Sequence, residues 1–244
     1  MCEDRLEMEN ELIKLELPEN FKLVITGGGR VAAGAIEVLE KTNIKKVSSK
    51  GFLNKTFNYP VYTQLEVNDY VKRDDGQPFI KSEFYKDPTN HSSSFMAYAE
   101  KACLYVACHY WDNRSPFIFS RQDIRNSKWN IEMVADISCD IDGPVASTLR
   151  PTTIQFPFYG YDPDSEKEVD FYNENTVGVM AVDNLPCELP KDASEEFGNM
   201  FISHVLEPLT GNDPEDIIYR ASETLNGKLT PHFKYLENYL KGKD

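Results

Sequence analysis

The sequence predicts an α/β protein: a doubly wound, mainly parallel sheet with extra C-terminal helices. Three observations carry this expectation. Phe21 to Val47, FKLVITGGGRVAAGAIEVLEKTNIKKV, reads as a buried strand, a glycine-rich turn, an amphipathic helix and the start of a second strand. Short apolar runs at Leu104–Cys108, Met133–Ser138 and Val177–Val182 then alternate with helical or irregular stretches, the spacing of a parallel sheet. Finally, 41% hydrophobic residues in a chain of 244 supply a sizeable core.

Taken in order, residues 1–20 are acidic and helix-prone and read as a linker helix ending at Pro18. Lys22 to Thr26 is too apolar and β-branched for a surface strand. After the glycines, Val31, Ala35, Val38 and Leu39 recur at helical spacing, with Glu37, Glu40 and Lys41 opposite. A second strand is expected to end at Val47-Ser48-Ser49-Lys50. Gly51 to Pro78 reads as irregular, with one helix or strand near Val61 to Val71. Ser92 to Ala102 is expected to be a helix, and Arg121 to Asn126 a shorter one. Gly143 to Asp170 holds four prolines, so no helix runs through it; a long excursion with a β-hairpin is expected. From Asp192 the chain turns helical. Asp192 with Glu195 resembles a capping box, and Asp213-Pro214 and Thr230-Pro231 read as starts of two terminal helices.

The glycine turn carries the sharpest chemical signal. In Gly27-x-Gly29-x-x-Ala32 the first glycine makes a tight turn and the second lets a backbone approach a pyrophosphate. The small third residue packs helix against strand, and the helix N-terminus points its free N–H groups at the phosphates. Gly27, Gly28, Gly29, Arg30 and Val31 are therefore candidate cofactor-binding residues, the cofactor being NAD or NADP. An acid about 20 residues on should hold the ribose 2′-hydroxyl. The chain instead offers Ser48, Ser49 and Lys50, which suit a 2′-phosphate or are solvated polar groups on a strand edge.

A net charge of −14 without a long basic run argues against nucleic acid and anionic membranes as partners. No apolar run reaches the ~20 residues of a membrane span, and the chain starts nothing like a signal peptide. Cys2, Cys103, Cys108, Cys139 and Cys187 form no CxxC pair and no zinc spacing. No metal site is expected, and reduced thiols in a cytoplasm are.

Ligands in such a sheet sit beyond the carboxyl ends of the strands. Three clusters fall there: His109-Tyr110-Trp111-Asp112, the acids Asp136, Asp140 and Asp142, and Asp183-Asn184-Leu185. Each also has a plainer reading. His109 at a strand end is a hydrogen-bonding residue, Asp136 a structural one, Asp140 and Asp142 a turn before Gly143, and Asp183-Asn184 a turn before Pro186.

The wording of these stretches goes further. GGGRVAAGAIEVL, VADISCDIDGPVAST, TTIQFPFYGYD and above all AVDNLPCELPKDASEEFG closely resemble the lysine-forming saccharopine dehydrogenases and lysine–ketoglutarate reductases. More distantly the chain is similar to the cofactor-binding part of alanine dehydrogenase and the nicotinamide nucleotide transhydrogenases. The resemblance covers nearly all of Phe21 to Leu240 and implies a Rossmann-like domain. It implies that Gly27, Gly29 and Arg30 meet the pyrophosphate; His109, from its place at a strand end, is a further cofactor-binding candidate. Asp183 and Asn184 would lie beside the nicotinamide and ribose, with the adjoining Leu185 a further cofactor-binding candidate, and Asp140 near the reaction centre, which makes Asp140 and Asp183 the catalytic candidates.

Family members reversibly reduce an imine to a secondary amine by hydride transfer. The implied substrate is saccharopine, or lysine plus 2-oxoglutarate. Their acid–base lysine and histidine come from a preceding N-terminal domain, and this chain matches only the C-terminal part. The expected organisation is thus a linker at 1–20, a dinucleotide-binding domain at 21–210, and helices at 211–244 that pack on a separate N-terminal catalytic half. Left unpaired, that face would favour a homodimer. The rival expectations are a cofactor-binding subunit without activity of its own and an alanine dehydrogenase-like enzyme.

Overall fold

The computed structural model describes residues 2–243, which form two compact units that divide between Glu188 and Leu189. In the first, α1 (Arg5–Leu12) precedes β1 (Lys22–Thr26), α2 (Arg30–Leu39), β2 (Lys45–Lys46), α3 (Ser49–Asn54) and β3 (Val61–Leu65). Then come α4 (Val67–Tyr70), β4 (Val71–Arg73), α5 (Lys81–Lys86), β5 (His91–Ser93), α6 (Met96–Ala99) and β6 (Leu104–Ala107). The unit continues through α7 (Arg121–Ile124), β7 (Met133–Asp136), β8 (Tyr159–Asp162), β9 (Lys167–Val169) and β10 (Val177–Met180).

Eight of these strands make one sheet in the order β2-β3-β1-β6-β7-β10-β8-β9. The first six run parallel, and the β8–β9 hairpin joins antiparallel to β10. The expected mainly parallel, Rossmann-like α/β sheet is present, and the hairpin lies within the proline-rich excursion.

Alternation along β1 divides the core. Leu23 and Ile25 face one side with Ala32, Ile44 and Tyr62, beneath the inner face of α2. Val24 faces the other with Phe52 of α3, Tyr98 and Ala99 of α6 and Ile124 of α7. Helices therefore cover both faces, as continuous apolar strands require.

Four local expectations are corrected. The buried stripe of α2 runs through Ala32, Ala35, Ile36 and Leu39, whereas Val31 and Val38 point outward. Two apolar faces on one short helix left periodicity with two solutions. Where one helix or strand was expected near Val61 to Val71, three short elements follow one another, β3, α4 and β4, and β3 pairs with β1 over all five of its residues. Ser92 to Ala102 is not one helix: Ser92 and Ser93 pair with β4, and only Met96–Ala99 are α-helical. A hairpin with β4 claims the backbone groups that a longer helix would need.

The second unit starts with α8 (Pro190–Phe201), where Pro190 occupies the first turn and Leu189 is the cap. The fourth correction is therefore that the Asp192–Glu195 pair lies inside the helix, two residues past its start. Proline's fixed φ suits the first helical position better than any interior one. A π-helical segment (Ile202–Leu206) leads to α9 (Glu207–Thr210) and α10 (Ile217–Ala221). Asp213 accepts from the amides of Ile217 and Ile218 at 2.7 and 2.8 Å, capping α10 from before its first turn. A two-stranded ribbon, β11 (Thr224–Leu225) with β12 (Lys228–Leu229), a 3₁₀ segment (Pro231–Leu236) capped by Thr230, and α11 (Glu237–Leu240) complete it.

Candidate functional site

A cleft of roughly 590 Å³ opens at the carboxyl ends of β1, β3 and β6, within the ~300–1,000 Å³ typical of ligand sites. Its floor is the glycine turn. Gly27 has φ +111°, and a Cβ there would lie 2.4 Å from the Cys108 carbonyl oxygen, so glycine is required both by conformation and by space. The Gly27 amide donates to the Leu65 carbonyl at 3.0 Å, and its carbonyl accepts from Gln64 Nε2 at 3.0 Å. The turn is thus pinned between β3 and β6. Gly29 caps the ten-residue α2, and nothing lies within 4 Å of where its Cβ would be. The protein itself does not need that space, so it is free for an incoming phosphate.

An acid sits on this floor that fixed spacing along the chain did not reveal. Glu66 follows β3, and β3, not β2, is the strand beside β1. A Cβ on Gly28 would come within 2.2 Å of Glu66 Oε1. The carboxylate therefore occupies the place expected of a ribose-binding acid, at the end of the neighbouring strand. The intervening β2 lies outboard of β3, and α3 packs its Phe52 into the core. Lys81 Nζ approaches Glu66 Oε2 at 3.7 Å and lies over the Tyr85 ring at 5.8 Å, so a cation and an aromatic face flank the acid. The signal available in the sequence was VYTQLE itself, a strand ending in an acid.

Ser48, Ser49 and Lys50 lie elsewhere. Ser48 caps α3, accepting from the Gly51 amide at 3.1 Å, Ser49 pairs with the Tyr98 hydroxyl, and exposed Lys50 belongs to α3. They do not line the cleft. Gly27 through Val31 and His109 do.

His109 is 7% exposed, and burial pushes its pKa down to about 4. Its Nδ1 lies 2.9 Å from Thr26 Oγ1, which lies 2.8 Å from the Tyr105 hydroxyl. Beside it, the Cys108 thiol is pushed up to about 12 by burial, with Asp136 adding to the shift. Cys108 is therefore a packing residue and no nucleophile.

The remaining candidates stand at the ends of β7 and β10, adjacent parallel strands. Asp136 is fully buried and accepts from Ser138 Oγ at 2.5 Å, the Cys139 amide at 3.1 Å and Thr148 Oγ1 at 2.6 Å. It is the anchor of the loop that carries Cys139 and Asp142 in left-handed conformations. Burial, and secondarily Asp136, raises the pKa of the Asp140 carboxyl. Asp142 pairs at long range with Arg121, 3.8 Å away. Asp183 and Asn184 are exposed just after β10, and the Asn184 carbonyl accepts from the Cys187 amide at 3.1 Å at the start of a 3₁₀ turn containing Leu185. Asp140, Asp183 and Asn184 thus share one sheet edge with the glycine turn.

Fold and cleft define the class: a Rossmann-type domain with a nucleotide-sized site at the strand ends. No family model matches the sequence. The chain is 28% identical over 258 residues to the mitochondrial alpha-aminoadipic semialdehyde synthase of Rattus norvegicus, covering 91% of this chain and 27% of that protein. It is 29% identical over 245 residues to alpha-aminoadipic semialdehyde synthase of Arabidopsis thaliana, covering 89% of this chain and 23% of that protein. The resemblance read from the sequence, to the saccharopine dehydrogenases and lysine–ketoglutarate reductases, is in line with this similarity. It spans about a quarter of the length of these relatives.

Proposed function

We propose that this chain is the cofactor-binding portion of an oxidoreductase of lysine metabolism, acting at the C–N bond of an amino acid or imine. A nicotinamide dinucleotide would supply the hydride exchange. The chain's own residues would bind and orient it. The Gly27–Arg30 turn and the α2 N-terminus take the pyrophosphate, and the Glu66 carboxylate accepts from the adenosine ribose hydroxyls. Asp183, Asn184 and Leu185 border the nicotinamide end, and Asp140 adjoins the reacting carbon and nitrogen. Burial, with Asp136 adding to it, raises the pKa of the Asp140 carboxyl and so eases its protonation.

The observation that carries this reading is Glu66 seated over Gly28. It also favours NAD over NADP, because a 2′-phosphate would be brought against a carboxylate. The substrate in this reading is saccharopine, or lysine with 2-oxoglutarate, and the acid–base residues come from a separate N-terminal catalytic half. Support for a contact with that half comes from the exposed apolar side chains of the second unit, among them Leu225, Tyr235 and Tyr239. We assign residues 211–244 to that contact. Among the described residues no helix is long and apolar enough to cross a membrane. The five free thiols suit a reducing compartment, for which we take the cytoplasm.

The test is titration with NADH and NADPH, followed by nicotinamide fluorescence, on the wild type and on Gly29→Asp. Saturable binding, tighter for NADH and abolished by the aspartate, is expected. An unchanged affinity in the variant would remove the glycine turn from the site.

A further inference from the structure

Within the cofactor reading just given, we infer that His109 offers a protonated Nε2, as a neutral hydrogen-bond donor, to an oxygen of the bound dinucleotide. The Tyr105–Thr26 pair fixes that tautomer.

The argument starts from the most buried group. Tyr105 has no exposed surface, and among the described residues its hydroxyl meets Thr26 Oγ1, 2.8 Å away. Burial holds the phenol protonated. Its proton has one acceptor to go to, so Tyr105 donates to Thr26; the reverse orientation would strand a donor in the core. Thr26, itself fully buried, has a single hydroxyl proton left to give, and His109 Nδ1 lies 2.9 Å away. Nδ1 therefore accepts. A neutral imidazole that accepts at Nδ1 carries its proton at Nε2.

That second nitrogen is buried and has no partner among the described residues. A buried N–H without an acceptor is costly, and such groups in native proteins commonly await a ligand or a water. His109 lines the cleft, and its backbone nitrogen lies 3.1 Å from where a Cβ on Gly27 would sit. The imidazole therefore flanks the turn assigned to the pyrophosphate. The oxygens nearest that turn in a dinucleotide are those of the pyrophosphate and of the ribose beyond it, and both are acceptors. A neutral donor serves either of them without placing a cation in the floor of the cleft.

Two measurements on the full chain test this. Long-range ¹H–¹⁵N correlation of the histidine rings in the unliganded protein, with His109→Gln identifying the resonance, should show the Nε2–H form. In Thr26→Val that preference should be lost. Binding of AMP, ADP, ADP-ribose and NADH is then compared in wild type, His109→Leu and His109→Gln, with a melting curve for each variant. Leucine should weaken NADH binding by about tenfold. Glutamine, whose Nε2 can donate from nearly the same place, should stay within about threefold of the wild type.

Loss first seen with ADP identifies a pyrophosphate oxygen; loss first seen with ADP-ribose identifies the ribose. AMP binding should be unchanged throughout. An Nδ1–H tautomer in the wild type overturns the inference, as does wild-type NADH affinity in His109→Leu or equal losses for leucine and glutamine. A wild type that binds no nucleotide at all removes the cofactor reading and the ligand half of this inference together, while the ring tautomer still reports on the relay by itself.

Discussion

Glu66 lies over Gly28 so closely that a Cβ on the glycine would stand 2.2 Å from Oε1 and 2.8 Å from Oε2. The obstructing atoms are the far end of a flexible side chain, so Gly28→Ala should fold and push the carboxylate aside. Its melting temperature should stay within a few degrees of wild type, while its preference for NADH over NADPH narrows. A lost fold would show that Glu66 cannot move. Gly27→Ala is the contrasting case. There the clash is with backbone, 2.4 Å from the Cys108 carbonyl, at φ +111°. A cost of about 2–4 kcal/mol is expected in urea unfolding.

Removing the Glu66 charge without its shape isolates the electrostatic part. Glu66→Gln should raise NADPH affinity by about tenfold, since a like charge facing the 2′-phosphate is gone. It should weaken NADH binding by a few fold, because an amide is a poorer acceptor for ribose hydroxyls. Lys81, 3.7 Å from the carboxylate, then has no anion to answer and favours the phosphate further. Equal affinities for both cofactors before and after the substitution would place the adenosine ribose elsewhere.

Stability should fall on mild acidification through His109. Its folded pKa of about 4 lies below the ordinary 6.5. Between these values the unfolded chain takes up a proton that the folded chain refuses, so stability is full above pH 6.5 and declines as pH drops towards 4. On the order of 2 kcal/mol should be lost between pH 7 and pH 5 from this residue. Urea titrations at the two pH values should show a smaller difference in His109→Gln than in wild type.

Asp136 makes a prediction of a different kind, because it holds a loop instead of a ligand. Thr148→Val removes the donor 2.6 Å from Oδ2 and leaves a buried carboxylate oxygen unpaired. A loss of about 1.5–3 kcal/mol is expected. Nucleotide affinity should be nearly unchanged, since the glycine turn is pinned by β3 and β6.

Thiol labelling should separate the cysteines. Cys108, with its thiol pushed up to about 12, should resist alkylation in the folded protein at pH 8, whereas exposed Cys187 should react readily. Mass mapping after brief iodoacetamide treatment reads this directly.

Much of this was legible in the residues. The strand at Lys22–Thr26, the glycine turn and the helix after it announced themselves because a buried β-branched run, a turn needing glycine and an amphipathic helix each leave a local signature. The apolar strands β6, β7 and β10 did the same. Glu66 did not, because its partner strand is set by pairing across the sheet, and an extra edge strand lies between the two in sequence. A rule stated in residues along the chain cannot see an insertion that leaves the neighbouring strand in place. The Tyr105–Thr26–His109 relay was hidden for the same reason: alternate residues of two strands meet only once their register is known. The short helix at Met96–Ala99 was overextended because the claim of β4 on Ser92 and Ser93 is tertiary, not local.

The outboard strand β2 has one more effect. It is two residues long, and both are exposed lysines: Lys45 rests its ammonium on Tyr59, and Lys46 reaches back to Gln64. Any second molecule adding a strand at that margin would have to seat its backbone against two fixed cations along a seam only two residues long. The margin is thus closed to end-on growth, and copies of the chain meeting in a crowded cell should slide past one another here rather than zip into a continuous ribbon.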